Sequence, residues 1–134
     1  MLKRRDGGLS VGIDLIEISE VRYAAERFGA RYLTRVYTQG ELRDCGAAAL
    51  RYAHLAARFA AKEAAYKALG SDGPLTPLDI EVRRSPAGAP QICFGGRFRE
   101  AWSAARLGPP TVSMSHSGGH AIAAVVAQRI SMTP

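Results

Sequence analysis

The sequence contains little cysteine, few aromatic residues and no long apolar run. Its two cysteines, Cys45 and Cys93, lie far apart without C-x-x-C spacing. We therefore interpret both as buried thiols of a cytoplasmic protein, not as a disulfide or a metal pair. Aromatic residues make up 7% of the chain, which is too few for a base-stacking platform. No segment has the length of a membrane span, and the basic N-terminus MLKRRDGGLS lacks the apolar core of a secretory signal, so we expect no membrane contact.

The composition is that of a folded domain that binds something anionic. The chain has 134 residues, of which 47% are hydrophobic and 22% charged, and it shows no internal repeat or linker. We predict one domain over residues 1–134, with residues 1–10 as a flexible tail. The formal net charge of +6 favours nucleic acid, a phosphorylated small molecule or an acidic protein as partner, without choosing among them.

The first half of the chain predicts one strand followed by helices. VGIDLIEIS (residues 11–19) is rich in β-branched residues and predicts a strand. Ser19 is the predicted N-cap of a first helix, and TQGE (residues 38–41) has the capping-box pattern of a second. A long alanine-rich helix is predicted over residues 50–69, ending at Gly70.

The second half predicts mostly strands. LDIEV (78–82) and QICF (91–94) flank a turn and predict a hairpin, and RFREAWSAARL (97–107) is amphipathic. TVSMSHS and HAIAAVVAQ predict two further strands around a Gly-Gly turn. The predicted fold class is α+β, with a mainly antiparallel sheet packed around one long core helix.

Two carboxylates fall within apolar surroundings. Asp14 lies in an apolar strand with its side chain toward an interior or a cleft, where it needs either a cation or a helix terminus that it caps. Glu63 lies among alanines of the long helix; on the simplest interpretation it forms a solvent-exposed i,i+4 pair with Lys67. If that helix is central, Glu63 and Asp14 instead make a hard oxygen site for Mg²⁺, with Mn²⁺ as the alternative.

Basic residues accompany these carboxylates. With a metal present, Lys67 would act as a phosphate-binding charge, and Arg58 and Lys62 would extend a positive strip beside it. Ser115 and His116 end a strand beside a glycine turn. Because adjacent strand residues point to opposite faces, these two do not form a nucleophile–base pair.

Taken together, these segments resemble the holo-acyl-carrier-protein synthases, a 4′-phosphopantetheinyl transferase family. The resemblance runs over about residues 11–127 and rests on GIDLIEI, RFAAKEAAYKALG, LDIEV and the late VSMSHS…AIAAVVA, in the family's order. It implies transfer of 4′-phosphopantetheine from coenzyme A to a serine of an apo acyl carrier protein, with release of adenosine 3′,5′-bisphosphate. It also implies a homotrimer with coenzyme A clefts between subunits.

The resemblance also assigns roles to residues. Asp14 and Glu63 match the family's metal carboxylates, and Glu63 is in addition the expected base. The resemblance further implies five residues that bind coenzyme A: Lys67, Gly70 and His116 at its phosphates, Arg58 as a basic position before FAAKE, and Ser115 of the Ser-His motif. Lys67 and the two carboxylates are the expected catalytic residues.

The sequence departs from the family pattern in two places. Glu20 stands where the family usually has an arginine that meets the acidic carrier, so we expect Arg22, Arg27 and Arg31 to form the docking surface. After the long helix the chain reads GSDG where the family often has G-x-G, so only Gly70 matches directly. Two alternatives stay open from the residues alone: a basic RNA- or DNA-binding domain, and a subunit that scaffolds a synthase.

Overall fold

The structure, a computed structural model, describes residues 7–70, 73–74 and 76–130. Within these ranges no helix combines the length and apolarity needed to cross a membrane. A 3₁₀ turn at Pro77–Asp79 leads into the hairpin. The helices and strands, in chain order, are β1 (Leu9–Glu17), α1 (Ile18–Phe28), α2 (Ala30–Val36), α3 (Gln39–Cys45), α4 (Arg51–Leu69), β2 (Ile80–Arg84), β3 (Pro90–Phe94), α5 (Gly96–Ala104), β4 (Thr111–Ser117) and β5 (His120–Gln128).

The strands form two antiparallel sheets, and the long helix α4 packs on the larger one. The three-stranded sheet has the order β1-β5-β4, and β2 pairs with β3 as a hairpin. In β5, alternate residues from Ala121 to Ala127 are buried beneath α4. On the helix side Ala60, Ala64 and Ala68 are at most 1% exposed. These small side chains let the helix lie directly against the strands, as the alanine-rich sequence predicts.

Helix α4 and strand β1 approach each other closely at Gly12. A Cβ atom at this position would lie 1.8 Å from the carbonyl oxygen of Ala64. Because that oxygen belongs to the helix backbone, no side-chain rotation can relieve the clash. The hydroxyl of Ser10, two residues earlier on the same face, donates to the carbonyl of Ala68. β1 is thus fixed to α4 by one close contact and one hydrogen bond.

We expect Gly12→Ala to destabilise the protein by about 3 kcal/mol or more, since helix and strand must separate to admit the methyl group. Thermal denaturation should show a melting temperature lower by roughly 10 °C or more. Gly95→Ala is the matched control, because a Cβ atom there meets nothing within 4 Å. Similar melting temperatures for the two variants would contradict the close approach.

A buried ion pair joins α3, α4 and the hairpin. Lys62 Nζ lies 2.7 Å from Glu41 Oε1, and their side chains are 4% and 0% exposed. The ammonium also donates to the carbonyls of Pro77 and Ile80, and Glu41 Oε2 accepts from Val82 N at 3.0 Å. Burial lowers the pKa of Lys62, and Glu41 opposes that shift. Lys62 therefore serves packing within the chain.

Several local predictions are confirmed. Thr38 and Glu41 form the predicted capping box, with Glu41 N donating to Thr38 Oγ1 at 3.1 Å and Thr38 N donating to Glu41 Oε1 at 2.9 Å. α4 ends at Leu69, and Gly70 follows with φ +103°, a conformation that favours glycine. The two strands around the Gly-Gly turn pair as predicted.

Other local predictions are wrong. Ser19 is not an N-cap, because β1 turns directly into α1 at Glu17 and leaves Ser19 inside the first helical turn. The predicted tail does not extend to residue 10, since Leu9 and Ser10 belong to β1; residues 1–6 lie outside the described part of the chain. Cys93 is exposed, whereas Cys45 is buried as expected. Cys93 lies on the outward side of β3, where alternation points it away from the core.

Candidate active site

Asp14 and Lys67 meet where β1 passes the C-terminal half of α4. Lys67 Nζ donates to Asp14 Oδ1 at 3.0 Å and to the carbonyl of Ile13 at 3.0 Å. The side chain of Asp14 is 18% exposed and that of Lys67 is 54% exposed, so the pair lies at the rim of the helix–sheet interface. An ammonium group has three N–H donors, which leaves one of them for a ligand oxygen.

The local sequence explains this placement. Alternation in β1 puts Asp14 on the same face as Ser10 and Gly12, toward α4. In α4, Glu63 and Lys67 each precede an alanine that is buried against the sheet, so they lie at the edge of the buried stripe. Asp14 therefore faces α4 at the edge of the helix–sheet interface, and Glu63 is half-buried on a central helix.

Glu63 is held close to a second negative charge. Burial raises the pKa of Glu63, the charge of Asp14 raises it further, and the charge of Lys67 opposes both effects. Two carboxylates thus share a small space with one ammonium group. Such an arrangement stabilises an additional cation, and it also makes Glu63 a stronger proton acceptor than an ordinary glutamate.

The donor atoms of this cluster fit a hard divalent cation. Among the described residues, no group of three or more His, Cys, Asp or Glu side chains is placed to hold a metal ion. Asp14 and Glu63, which lie close enough for their charges to interact, could supply two carboxylates, and the remaining oxygens would come from water and from a ligand's phosphates. Mg²⁺ is commonly bound in this way, with few protein ligands.

His116 lies elsewhere within the same chain. It is on the α4-facing side of β4, where its ring meets that of His54 with centroids 5.9 Å apart and an interplanar angle of 66°. His54 precedes Glu63 by nine residues, which is about 13 Å along a helix axis. A single chain thus brings Asp14, Glu63 and Lys67 together and leaves His116 apart from them.

Ser115 is on the opposite face of β4 from His116. It lines a depression of about 110 Å³ on the outer side of the sheet, together with Ile13 and Ile122. The two residues therefore point away from each other, as expected for neighbours in a strand.

The expectation that Arg58 and Lys62 extend a positive strip is wrong. Arg58 is 2% exposed, and its guanidinium donates to the carbonyls of Val82 at 3.1 Å and His54 at 3.3 Å. Lys62 is buried against Glu41. Both side chains point into the contact between α4 and the hairpin because their hydrogen-bond partners lie there, and this leaves Lys67 as the exposed cation of the three.

Gly70 is half-buried one turn beyond Lys67, at the end of α4. Its backbone N–H donates to the carbonyl of Lys67 at 3.2 Å. The next two residues of the GSDG segment lie outside the described part of the chain.

The predicted docking arginines are exposed but differ in their contacts. Arg22 pairs with Glu26 at 2.9 Å, and Arg27 lies over the ring of Phe28, 6.0 Å from its centroid. Arg31 lines a groove of about 380 Å³ beside α2. The groove is lined by Phe28, Arg31, Tyr32, Arg35 and Val36.

Arg35 is not indicated by the sequence patterns, because none of them predicts helix α2. This helix starts after Gly29 without a side-chain cap, so the usual N-terminal signal is missing. The i,i+4 spacing of Arg31 and Arg35 is the signal that could have placed them on one face.

The outer face of the three-stranded sheet is apolar and exposed. Outward-pointing residues of β1 and β5 form it, with exposed fractions from 38% to 64%. They are Leu9, Val11, Ile13, Leu15 and Ile122. As the sequence predicts, β5 is apolar on both faces, but α4 covers the inner one alone.

The chain is similar in sequence to known 4′-phosphopantetheinyl transferases. The sequence model of the 4′-phosphopantetheinyl transferase superfamily matches residues 10–125, a span that contains both carboxylates, Lys67 and His116. The holo-[acyl-carrier-protein] synthase of Koribacter versatilis is 39% identical over 120 residues, which cover 88% of this chain and 96% of that protein. The holo-[acyl-carrier-protein] synthase of Moorella thermoacetica is 44% identical over 120 residues, covering 89% and 91%.

The fold is similar to that of a solved holo-[acyl-carrier-protein] synthase. The crystal structure of Helicobacter pylori holo-[acyl-carrier-protein] synthase in complex with coenzyme A aligns with a TM-score of 0.76 and 32% identity. The alignment covers 87% of this chain and 98% of that one. The α+β class predicted from the sequence is therefore confirmed.

Proposed function

The chain belongs to the 4′-phosphopantetheinyl transferase superfamily, and we propose that it is a holo-[acyl-carrier-protein] synthase. It transfers the 4′-phosphopantetheine group of coenzyme A to a serine of an apo acyl carrier protein. The main support is sequence identity: the chain is 39% identical to the Koribacter versatilis synthase and 44% identical to the Moorella thermoacetica synthase, and each alignment covers nearly nine tenths of it. Membership of an enzyme family disfavours the two alternatives, a nucleic-acid-binding domain and a scaffold.

The reaction is a phosphoryl transfer at the β-phosphate of coenzyme A. The serine oxygen of the carrier forms a bond to the β-phosphorus, and the bond from this phosphorus to the oxygen bridging to the α-phosphate breaks. Glu63, or a water molecule hydrogen-bonded to it, accepts the serine proton, helped by its raised pKa. Adenosine 3′,5′-bisphosphate leaves with the bridging oxygen.

Positive charge at the site stabilises this transfer. Lys67 offers its remaining N–H to a phosphate oxygen, as a charge-assisted hydrogen bond. Asp14 and Glu63 would hold Mg²⁺, or Mn²⁺ as the alternative, which supplies charge neutralisation at the pyrophosphate. Gly70 allows the backbone to approach the phosphates, and Ser115 and His116 contribute to coenzyme A binding.

Intact-mass analysis tests the activity directly. Candidate apo carriers from fatty-acid and polyketide synthesis are incubated with the protein, coenzyme A and Mg²⁺. We expect at least one carrier to gain the mass of a single phosphopantetheine group, and no gain when its acceptor serine is replaced by alanine. Unmodified carriers throughout the panel, with a known transferase modifying them in parallel, would contradict the function.

The protein acts as a homotrimer with its sites between subunits. Support comes from the exposed apolar outer face of the sheet, which a second copy can cover. The position of His116 gives further support, since His116 cannot meet Glu63 of its own chain but can meet that of a neighbour. A cytoplasmic location is part of the same proposal, in agreement with two free cysteines.

The acidic carrier docks on α1 and α2, next to the site. Asp14 and the start of α1 are separated by a few residues of β1, so a carrier on α1 can present its serine to the carboxylates. Arg27 and Arg31 supply positive charge there, and the neighbouring groove adds Arg35 and apolar contact. Arg22 contributes less, because Glu26 already neutralises it.

We expect Glu20→Arg to lower the Michaelis constant for an acidic carrier by roughly 2- to 5-fold at low ionic strength. The substitution replaces a repelling charge on the docking surface by an attracting one, so the association rate should account for most of the gain. Steady-state kinetics at two salt concentrations measure it, because salt screens the effect. Glu100→Arg on α5 makes the same change in net charge away from α1 and should leave the constant unchanged. An equal gain in both variants would remove Glu20 from the docking surface.

A further inference from the structure

A small pocket of about 50 Å³ adjoins Glu63, between α4 and the segment that leads into the 3₁₀ turn. Successive residues of a helix are offset by about 100°, so Glu63 lies between Tyr66 and Lys67 around the axis of α4. Tyr66 lines the pocket, whereas Lys67 binds Asp14. Glu63 therefore stands between the pocket on one side and the Asp14–Lys67 pair on the other.

Thr76 lines this pocket and has a buried hydroxyl. Within the described part of the chain, its Oγ1 atom has no hydrogen-bond partner. The backbone around it is fixed, because the carbonyl of Thr76 accepts from Asp79 N at 2.9 Å. The next residue is a proline, whose carbonyl accepts from Lys62 Nζ at 2.8 Å. Since a buried hydroxyl without a partner is costly, one that the fold holds in place indicates a partner that the described residues do not provide.

Lys62 also lines the pocket, but it has no donor left for a group there. Its ammonium group has three N–H donors and no acceptor. They are used by a carboxylate oxygen of Glu41 and by the carbonyls of Pro77 and Ile80. The carboxylate of Glu63 has the opposite chemistry, since in its ionised form it only accepts hydrogen bonds. A donor in the pocket would therefore bind Glu63.

The size of the pocket fits a water molecule. A water needs about 10–15 Å³ of such space and two to four polar partners. Sites for organic ligands are usually about 300 Å³ or larger, so no part of a substrate of that size fits here. A water molecule can accept from the hydroxyl of Thr76 and donate to an oxygen of Glu63, which pairs both groups at once.

We propose that Thr76 is a positioning residue for Glu63. Its hydroxyl donates to a water molecule in the pocket, and that water donates to one carboxylate oxygen of Glu63, which leaves the other oxygen directed toward Asp14 and a bound cation. This inference rests on the proposed function, since it concerns the metal site of that reaction. Replacing a group that orients a metal ligand commonly changes metal affinity or activity by about 10- to 100-fold.

Binding of Mn²⁺ in the presence of coenzyme A tests the proposal. Electron paramagnetic resonance measures the free Mn²⁺, and a titration without protein corrects for Mn²⁺ bound to coenzyme A alone. We expect Thr76→Val, which keeps the branched shape but lacks the hydroxyl, to weaken Mn²⁺ binding by about 10-fold or more. Thr76→Ser keeps the hydroxyl and should bind Mn²⁺ much as wild type does. Thr76→Ala serves if the valine variant folds poorly.

Two controls separate an effect on Glu63 from a general change in the protein. Thr111→Val makes the same substitution at an exposed threonine of β4 and should bind Mn²⁺ as wild type does. Calorimetric titration with coenzyme A in a metal-free buffer should give equal affinities for wild type and all the variants. A crystal structure of wild type should show a water molecule within hydrogen-bond distance of Thr76 Oγ1 and a Glu63 oxygen, and the valine variant should lack it.

The outcomes distinguish this proposal from the proposed function. Unchanged Mn²⁺ affinity in Thr76→Val and Thr76→Ala would overturn the role of Thr76 and leave the transferase activity as proposed. Equal weakening in Thr76→Ser and Thr76→Val would assign the effect to the shape of the side chain, and this too would overturn the role of the hydroxyl. Failure of wild type to bind Mn²⁺ together with coenzyme A would instead overturn the metal site of the proposed function, and this inference with it.

Discussion

Glu63→Gln is expected to reduce transfer by at least about 100-fold while leaving the fold intact. The amide keeps the size of the side chain but removes the negative charge that a metal and a serine proton both require. Discontinuous assays of carrier modification measure the loss. Glu100→Gln, at an exposed position on α5, removes a glutamate without touching the site and should retain full turnover.

The same variant should be more stable than wild type at neutral pH in a metal-free buffer. Glu63 has a folded-state pKa above its ordinary value of 4.5, so its ionised form is disfavoured by folding. The associated stability is present below about pH 4 and is lost as the pH rises through the folded-state pKa. The melting temperature of Glu63→Gln should therefore exceed that of wild type at pH 7, and the difference should vanish near pH 4.

Added Mg²⁺ with coenzyme A should reverse the order of stability. Ligands that bind the native state raise its melting temperature, and Glu63→Gln lacks one of the two carboxylates. Wild type should therefore gain stability from the pair of ligands, and the variant should gain much less. Near-normal turnover in Glu63→Gln would remove this residue from the catalytic group, and equal stabilisation of both proteins would remove it from the metal site.

The sequence predicts the fold well where the signals are local. α4 is recognisable from its alanine content and terminal glycine, and the capping box at Thr38 marks the start of α3. The strands of the larger sheet follow from their apolar patterns. α2 lacks such a signal, because Gly29 precedes it and no side chain caps it.

In the candidate site, too, some side-chain positions follow from local sequence patterns and others depend on contacts with distant parts of the chain. The orientation of Asp14 follows from strand alternation, and the half-burial of Glu63 follows from the alanines beside it. The burial of Arg58 and Lys62 could not be predicted, because their hydrogen-bond partners are distant in the chain. Arg58 donates to Val82, and Lys62 donates to Glu41 and Ile80. From their positions in α4 alone, either Lys62 or Lys67 could be buried or exposed. Only the tertiary contacts show that Lys62 is buried and Lys67 is exposed.

In the proposed trimer, assembly should depend on the apolar outer face of the sheet, so Ile13→Glu is expected to dissociate the proposed trimer and to reduce transfer by at least about 100-fold. Ile13 is 56% exposed in the monomer and borders the depression beside Ser115 and Ile122. A carboxylate there would lose its hydration in the interface without a partner. Light scattering coupled to gel filtration measures the mass of the assembly. The control is Leu78→Glu, at an exposed leucine of the 3₁₀ turn outside the three-stranded sheet; this variant should keep the oligomeric state and the activity of wild type.

Mixing two impaired variants tests whether the site is shared. Glu63→Gln and His116→Ala are unfolded together in equal amounts, refolded and assayed with coenzyme A well below its Michaelis constant. If each site takes Glu63 from one chain and His116 from the next, random assembly restores both residues in about a quarter of the sites. Activity should then rise well above that of either variant refolded alone. If both residues act from one chain, no site regains the pair, and activity should stay at the average of the two variants. A monomeric wild type with full activity would refute the shared site outright.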